Sequence, residues 1–145
     1  MAADTLLDTK HPAPERDKVR LASLSFSLAA PPLAWSIQSI AGYSLSSEAC
    51  YPGDTPRLVP VFSGLWDLLL AINGVALVIG VLGISIAYRN WSVTRRETGS
   101  DPTLLIERGE GRTRFLAMCG LLVGTGFVIA TLFTSITLFL SPLCR

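Results

Sequence analysis

The chain has a single histidine, His11, and only three cysteines, Cys50, Cys119 and Cys144. That leaves little for a metal centre, since structural zinc takes four Cys or His ligands and haem takes a His, Met, Cys or Tyr held in a pocket. Met118 and Cys119 adjoin one another with no histidine to complete a site. The same scarcity removes any evident nucleophile–base pair. The glycines follow helical spacing rather than a phosphate-binding loop. The sequence therefore predicts no enzyme, no cofactor and no metal. Charge is scarce as well: 16% of residues are Asp, Glu, Lys or Arg, against about 25% in soluble chains. A net charge of +1 provides no field to draw nucleic acid.

What remains is apolar, and it is arranged in runs. Residues 21–47 contain no charged side chain, residues 58–88 contain only Asp67, and residues 115–144 contain none. About 20 apolar residues cross a bilayer core as a helix. Three such runs leave too little polar surface to clothe a soluble bundle. The expected fold class is thus all-α, an integral membrane three-helix bundle. Its spans are residues 19–44, 61–88 and 114–140. Between them lie an outer loop at 45–60 and a basic loop at 89–113, flanked by an arm at 1–18 and a tail at 141–145.

Lys10, Arg16, Lys18 and Arg20 precede the first span, and Arg89, Arg95, Arg96, Arg108, Arg112 and Arg114 separate the second from the third. Only Arg57 and Arg145 fall elsewhere. Short loops rich in Lys and Arg stay cytoplasmic. The expected topology has a cytoplasmic N-terminus and a periplasmic C-terminus, in a bacterial inner membrane. A cleaved signal peptide is the rival reading of residues 21–30. The apolar stretch continues too far past Pro31 and Pro32 for that, and proline after Ala29 and Ala30 makes a poor cleavage site.

Pro31 and Pro32 interrupt the hydrogen-bond ladder of the first span, where a kink is expected. Pro52, Gly53, Pro56 and Pro60 make the outer loop a series of turns. In the basic loop, Asp101 and Pro102 resemble a helix start, and Gly109 and Gly111 an early end. Trp66 at one end of the second span, with Tyr88 and Trp91 at the other, suits the aromatic belts of a membrane interface.

Small residues mark two stripes. Asn73, Ala76, Gly80, Gly83 and Ala87 recur at spacings of 3 and 4, as do Ala117, Gly120, Gly124, Val128, Thr131 and Ser135. Such stripes let helix backbones approach closely in lipid. They serve packing within the chain or docking of a partner helix. Gln38 and Asn73 are intramembrane amides that can meet in the outer half of the bundle. Asp67, the only acidic residue in a span, lies about two turns inside the outer end, a place for interfacial anchoring rather than proton transfer. Cys50 and Cys144 each follow a span on the outer side, where an oxidising compartment favours a bridge. Two free thiols, or a bond to a partner's cysteine, are the alternatives. Cys119 is expected to stay reduced as a small hydrophobe.

The segment PPLAWSIQSIAGYSLSSEACYP at 31–52, with RFLAMCGLLVG at 114–124 and PLC at 142–144, resembles a group of small bacterial transmembrane proteins of open function. Their genes often neighbour those of terminal (cytochrome c) oxidases. The resemblance covers about a third of the chain and carries no catalytic motif. It implies an accessory or assembly role in a respiratory membrane. The expected partners are membrane lipids, and other membrane subunits or further copies of the chain. The alternative is a small oligomeric transporter or channel subunit using Asp67, Asn73 and Gln38.

Overall fold

A computed structural model describes residues 19–94, 112–141 and 144. Among the described residues there are three long helices and no strand. They are α1 (Leu21–Cys50), α2 (Leu65–Thr94) and α3 (Arg112–Leu140), with one 3-10 turn at Pro52–Asp54. At 1.5 Å per residue each is about 45 Å long, more than the roughly 30 Å of a hydrocarbon core. Each helix packs against the other two. The arm at 1–18 with His11 lies outside the described residues. So do the turn and short helix expected around Asp101 and Pro102, and Pro142 with Leu143.

Two helices, α2 and α3, are long and apolar enough to cross a membrane, and only 28% and 22% of their most apolar stretches are buried inside the bundle. A core helix of a soluble protein would be mostly buried. Here Val75, Val78, Leu82, Leu122, Ile129 and Phe133 all point outward. In α1, Ser23, Ser25, Ser27, Ser36 and Gln38 dilute the apolar run, and α1 does not reach the apolarity of the other two.

The helix ends differ from the boundaries read in the sequence. Helix α1 continues past residue 44 to Cys50, and α2 starts at Leu65 rather than 61 and runs on to Thr94. Tertiary contact is the reason at the first of these ends. Ala49, Leu65 and Leu69 form a buried cluster with Leu45 and Leu138 against it, so the polar Ser46, Ser47 and Glu48 do not end the helix. The last carbonyls of a helix lack intrahelical donors. Two of them are met from the loop, by the Arg57 N–H on the Cys50 carbonyl (2.9 Å) and the Val61 N–H on the Ala49 carbonyl (3.1 Å). That pins residues 57–61 against the end of α1 and delays the start of α2. The turn between them takes a left-handed backbone at Gly53 (φ 59°) and Asp54 (φ 60°), two residue types that tolerate it.

Helix α1 runs without interruption through Pro31 and Pro32, although neither can donate a backbone hydrogen bond. At the opposite end of the bundle, Val19, Leu24 and Ala117 form a second cluster beneath Trp91 and Val93. Between the two clusters the interior is filled by small residues and amides.

Candidate interhelical polar site

The buried residues of α2 are Leu65, Leu69, Asn73, Ala76, Gly80, Gly83, Ala87, Asn90 and Thr94, one stripe at spacings of 3 and 4. Its glycines sit where neighbouring helices come closest. A Cβ at Gly80 would lie 2.6 Å from Val128 Cγ2, and one at Gly83 would lie 2.7 Å from Pro31 Cγ. On α3, a Cβ at Gly124 would meet Ile84 Cγ1 at 3.0 Å and Pro31 Cγ at 3.6 Å, and one at Gly120 would meet Ser27 Oγ at 3.1 Å. The Pro31 ring therefore occupies a notch cut by Gly83 and Gly124 from two different helices. Ala76 and Ala117 are buried on the same inward faces.

A step from this notch toward Cys50, three polar side chains join all three helices. Gln38, 3% exposed, donates from Nε2 to Asn73 Oδ1 at 2.7 Å. Asn73, 8% exposed, donates from Nδ2 to the Leu69 carbonyl at 2.8 Å. That second bond fixes the orientation of both amides, because a flipped Gln38 would set two acceptors face to face. The Ser135 hydroxyl lies 3.2 Å from Asn73 Oδ1 and 2.9 Å from the Thr131 carbonyl, its one proton serving both. Gln38 Oε1 is buried and has no donor. Trp35 Nε1 is likewise buried without an acceptor, its ring tilted against Phe127 at 5.5 Å.

A second polar pair lies toward the other end. Asn90 Nδ2 donates to Ser23 Oγ at 3.0 Å, and Ser23 Oγ lies 3.2 Å from Asn90 Oδ1. This pair is absent from the sequence reading. The signal was present, since the spacing of the α2 stripe continues from Ala87 to Asn90 and Thr94.

Asp67 stands apart. It is exposed in the first turn of α2, while Leu65 and Leu69 of the same region turn inward. The three residues named for a polar path are thus not brought together: Gln38 and Asn73 are bonded, and Asp67 faces out.

Cys50 and Cys144 form a disulfide, with sulfurs 2.06 Å apart and Cα atoms 5.3 Å apart across a sequence separation of 94. The Cα distance falls within the usual range of about 4.4–6.8 Å. The bond joins the ends of α1 and α3. Cys119 is free and half-buried. Among the described residues no group of three or more His, Cys, Asp or Glu side chains comes together to hold a metal.

The structure thus defines a disulfide-closed three-helix bundle, two of whose helices are apolar enough to span a membrane. No family model matches the chain, and no curated protein or solved structure matches it.

Proposed function

We propose that this chain crosses a bacterial inner membrane three times, N-terminus in the cytoplasm and C-terminus in the periplasm. There it serves as a non-enzymatic accessory subunit or assembly factor of a larger respiratory complex of the haem-copper oxidase type. The observation that carries the reading is the inversion of the bundle. Its amides and small residues turn inward, while Leu33, Ile37 and Ile40 of α1 join the outward aliphatic residues of α2 and α3. An apolar coat on all three helices suits a membrane, and it supports a span by α1 despite its serines. Arg20, Arg89 and Arg114 lie near the bundle end opposite the disulfide. A basic end facing the cytoplasm and a disulfide in an oxidising compartment agree with one orientation. The respiratory assignment rests on the resemblance of residues 31–52, 114–124 and 142–144.

Affinity purification from the native membrane in a mild detergent tests the proposal. Co-migration with haem-containing oxidase subunits on a native gel is the expected result. Isolation as a homo-oligomer that conducts ions in liposomes would instead favour the transporter reading. That reading draws on Gln38 and Asn73 but loses Asp67 from its path.

A further inference from the structure

The Gln38–Asn73 pair stands between two grooves of nearly equal size and opposite character. One, about 370 Å³, lies between α1 and α2, and apart from Gln38 its lining is wholly aliphatic, with Ala41, Ala71 and Val75 among the walls. The other, about 350 Å³, lies between α1 and α3 and carries six hydroxyls: Ser39, Tyr43, Ser46, Thr134, Thr137 and Ser141. It follows α1 from Gln38 to Ser46, about 12 Å, and reaches Ser141, just past the last residue of α3. It therefore opens at the disulfide end of the bundle and stops at the amide pair.

Two hydroxyls on the outer coat show what lipid requires. Ser85 and Thr125 each donate to the carbonyl one turn back, Val81 and Leu121, at 2.8 Å, so that no donor is stranded in hydrocarbon. The groove departs from that pattern. Thr134 and Thr137 donate to the Ala130 and Thr134 carbonyls at 3.0 and 2.8 Å and keep lone pairs free. Ser39, Tyr43, Ser46 and Ser141 make no side-chain bond among the described residues, and each keeps a proton to give. The lining thus both donates and accepts, and no charged side chain belongs to it.

We propose that this groove is a hydrated cleft in the outer leaflet, filled by water from the periplasmic surface down to Asn73. The proposal rests on the three-span reading. Water donates and accepts in equal measure, and the volume has room for on the order of ten molecules at about 30 Å³ each. An ion would enter with no opposite charge to compensate it. Gln38 Oε1 takes no part, being sealed within the wall. The cleft is blind, because beyond the amides Ala76 and Thr131 are buried and the Pro31 ring fills its notch. Water along one face also accounts for the composition of α1, whose Ser39 and Ser46 turn to the cleft while Ile37 and Ile40 turn to lipid.

Cysteine accessibility at matched depths tests this. The full chain, with Cys119→Ala to silence the free thiol, is placed in phosphatidylcholine vesicles without reductant, so that Cys50 and Cys144 stay bonded. A charged, membrane-impermeant methanethiosulfonate is added outside, and modification is followed by mass spectrometry. Ser39→Cys is compared with Ala41→Cys of the aliphatic groove, and Thr134→Cys with the outward Ile136→Cys. In each pair the cleft position lies two residues, about 3 Å, deeper than its control, so depth alone favours the control. Both cleft positions should nevertheless react at least about tenfold faster, because a thiol reacts as its thiolate, which lipid excludes. Where one substitution loses the disulfide-bonded fold on a non-reducing gel, the other pair gives the answer. Slow reaction at all four positions overturns the cleft, as a lipid headgroup or chain seated there would produce, and leaves the three-span reading intact. Fast reaction at all four takes the bundle out of hydrocarbon, and the membrane reading falls together with the cleft.

Discussion

Substituting Gly83→Ala replaces one hydrogen with a methyl group, and the structure says where that carbon goes. It would lie 2.7 Å from Cγ and 3.2 Å from Cδ of Pro31. Carbon atoms in contact settle at about 3.5–4.0 Å, so α1 and α2 must part locally by about 1 Å. A proline ring has no rotamer to swing aside, and the backbone must move instead. Overpacking of this kind costs about 1–3 kcal/mol. The helix-forming advantage of alanine over glycine, up to about 1 kcal/mol, works the other way. The expected net loss is about 1–2 kcal/mol. Two helical glycines that face open space isolate the terms. An added Cβ at Gly74 of α2 or Gly126 of α3 meets nothing within 4 Å. Gly74→Ala and Gly126→Ala should therefore be neutral or mildly stabilising. The assay is unfolding in mixed micelles followed by far-ultraviolet circular dichroism. Pro31→Ala removes the ring atoms that clash, so in combination with Gly83→Ala it should recover about 1 kcal/mol relative to additivity. If Gly83→Ala proves as stable as Gly74→Ala, the close packing of Pro31 is not what holds α1 and α2 together.

Further outcomes are expected. Asn73→Leu strips Gln38 Nε2 and Ser135 of their shared acceptor and should destabilise the bundle by about 1 kcal/mol, two interhelical bonds at roughly 0.6 kcal/mol each, measured in the same micelle titration. Cys50→Ser should release the α1–α3 tie and lower stability by up to about 4–5 kcal/mol on a chain-entropy reckoning for so long a loop. In the wild type, thiol labelling without reductant should modify one cysteine, Cys119, and reductant should raise that to three. Asp67→Asn, at an exposed first-turn position, should change stability by less than about 1 kcal/mol, and it should leave any associated proton flux unaltered. Reporter fusions at residues 15, 55, 100 and 145 should read cytoplasmic, external, cytoplasmic and external, and an external signal at 100 would rule out the three-span topology.

The helices were legible because long uncharged runs leave a chain few other folds. The faces of α2 were legible because small residues at alternating steps of 3 and 4 trace one line on a helix, from Asn73 to Ala87. Helix ends were less legible. The polar Ser46, Ser47 and Glu48 suggest a loop, and only burial of Ala49 and Cys50 against the start of α2 keeps them helical. Pro31 reads in the sequence as a break in the hydrogen-bond ladder, and nothing in linear spacing signals that its ring fills a gap between two glycines on other helices. Asn90 was missed because the second span was ended at Tyr88, one step before the stripe produced its next amide.

The two polar contacts between α1 and α2 also act as a gauge of alignment. Ser23 meets Asn90 and Gln38 meets Asn73, near opposite ends of the antiparallel pair. If α1 slid by one turn, Gln38 would come opposite Leu69 or Ala76, and Asn90 would lose Ser23 in the same movement. Gln38 Nε2 would then be left without its acceptor, at several kcal/mol for an unsatisfied group in a hydrocarbon setting. Leucine and glycine surfaces tolerate many offsets, whereas two separated amides accept one. The pairs thus do for this bundle what a single buried asparagine does for a coiled coil: they add little to its depth of stability and exclude its near neighbours, so that α1 and α2 have one vertical setting.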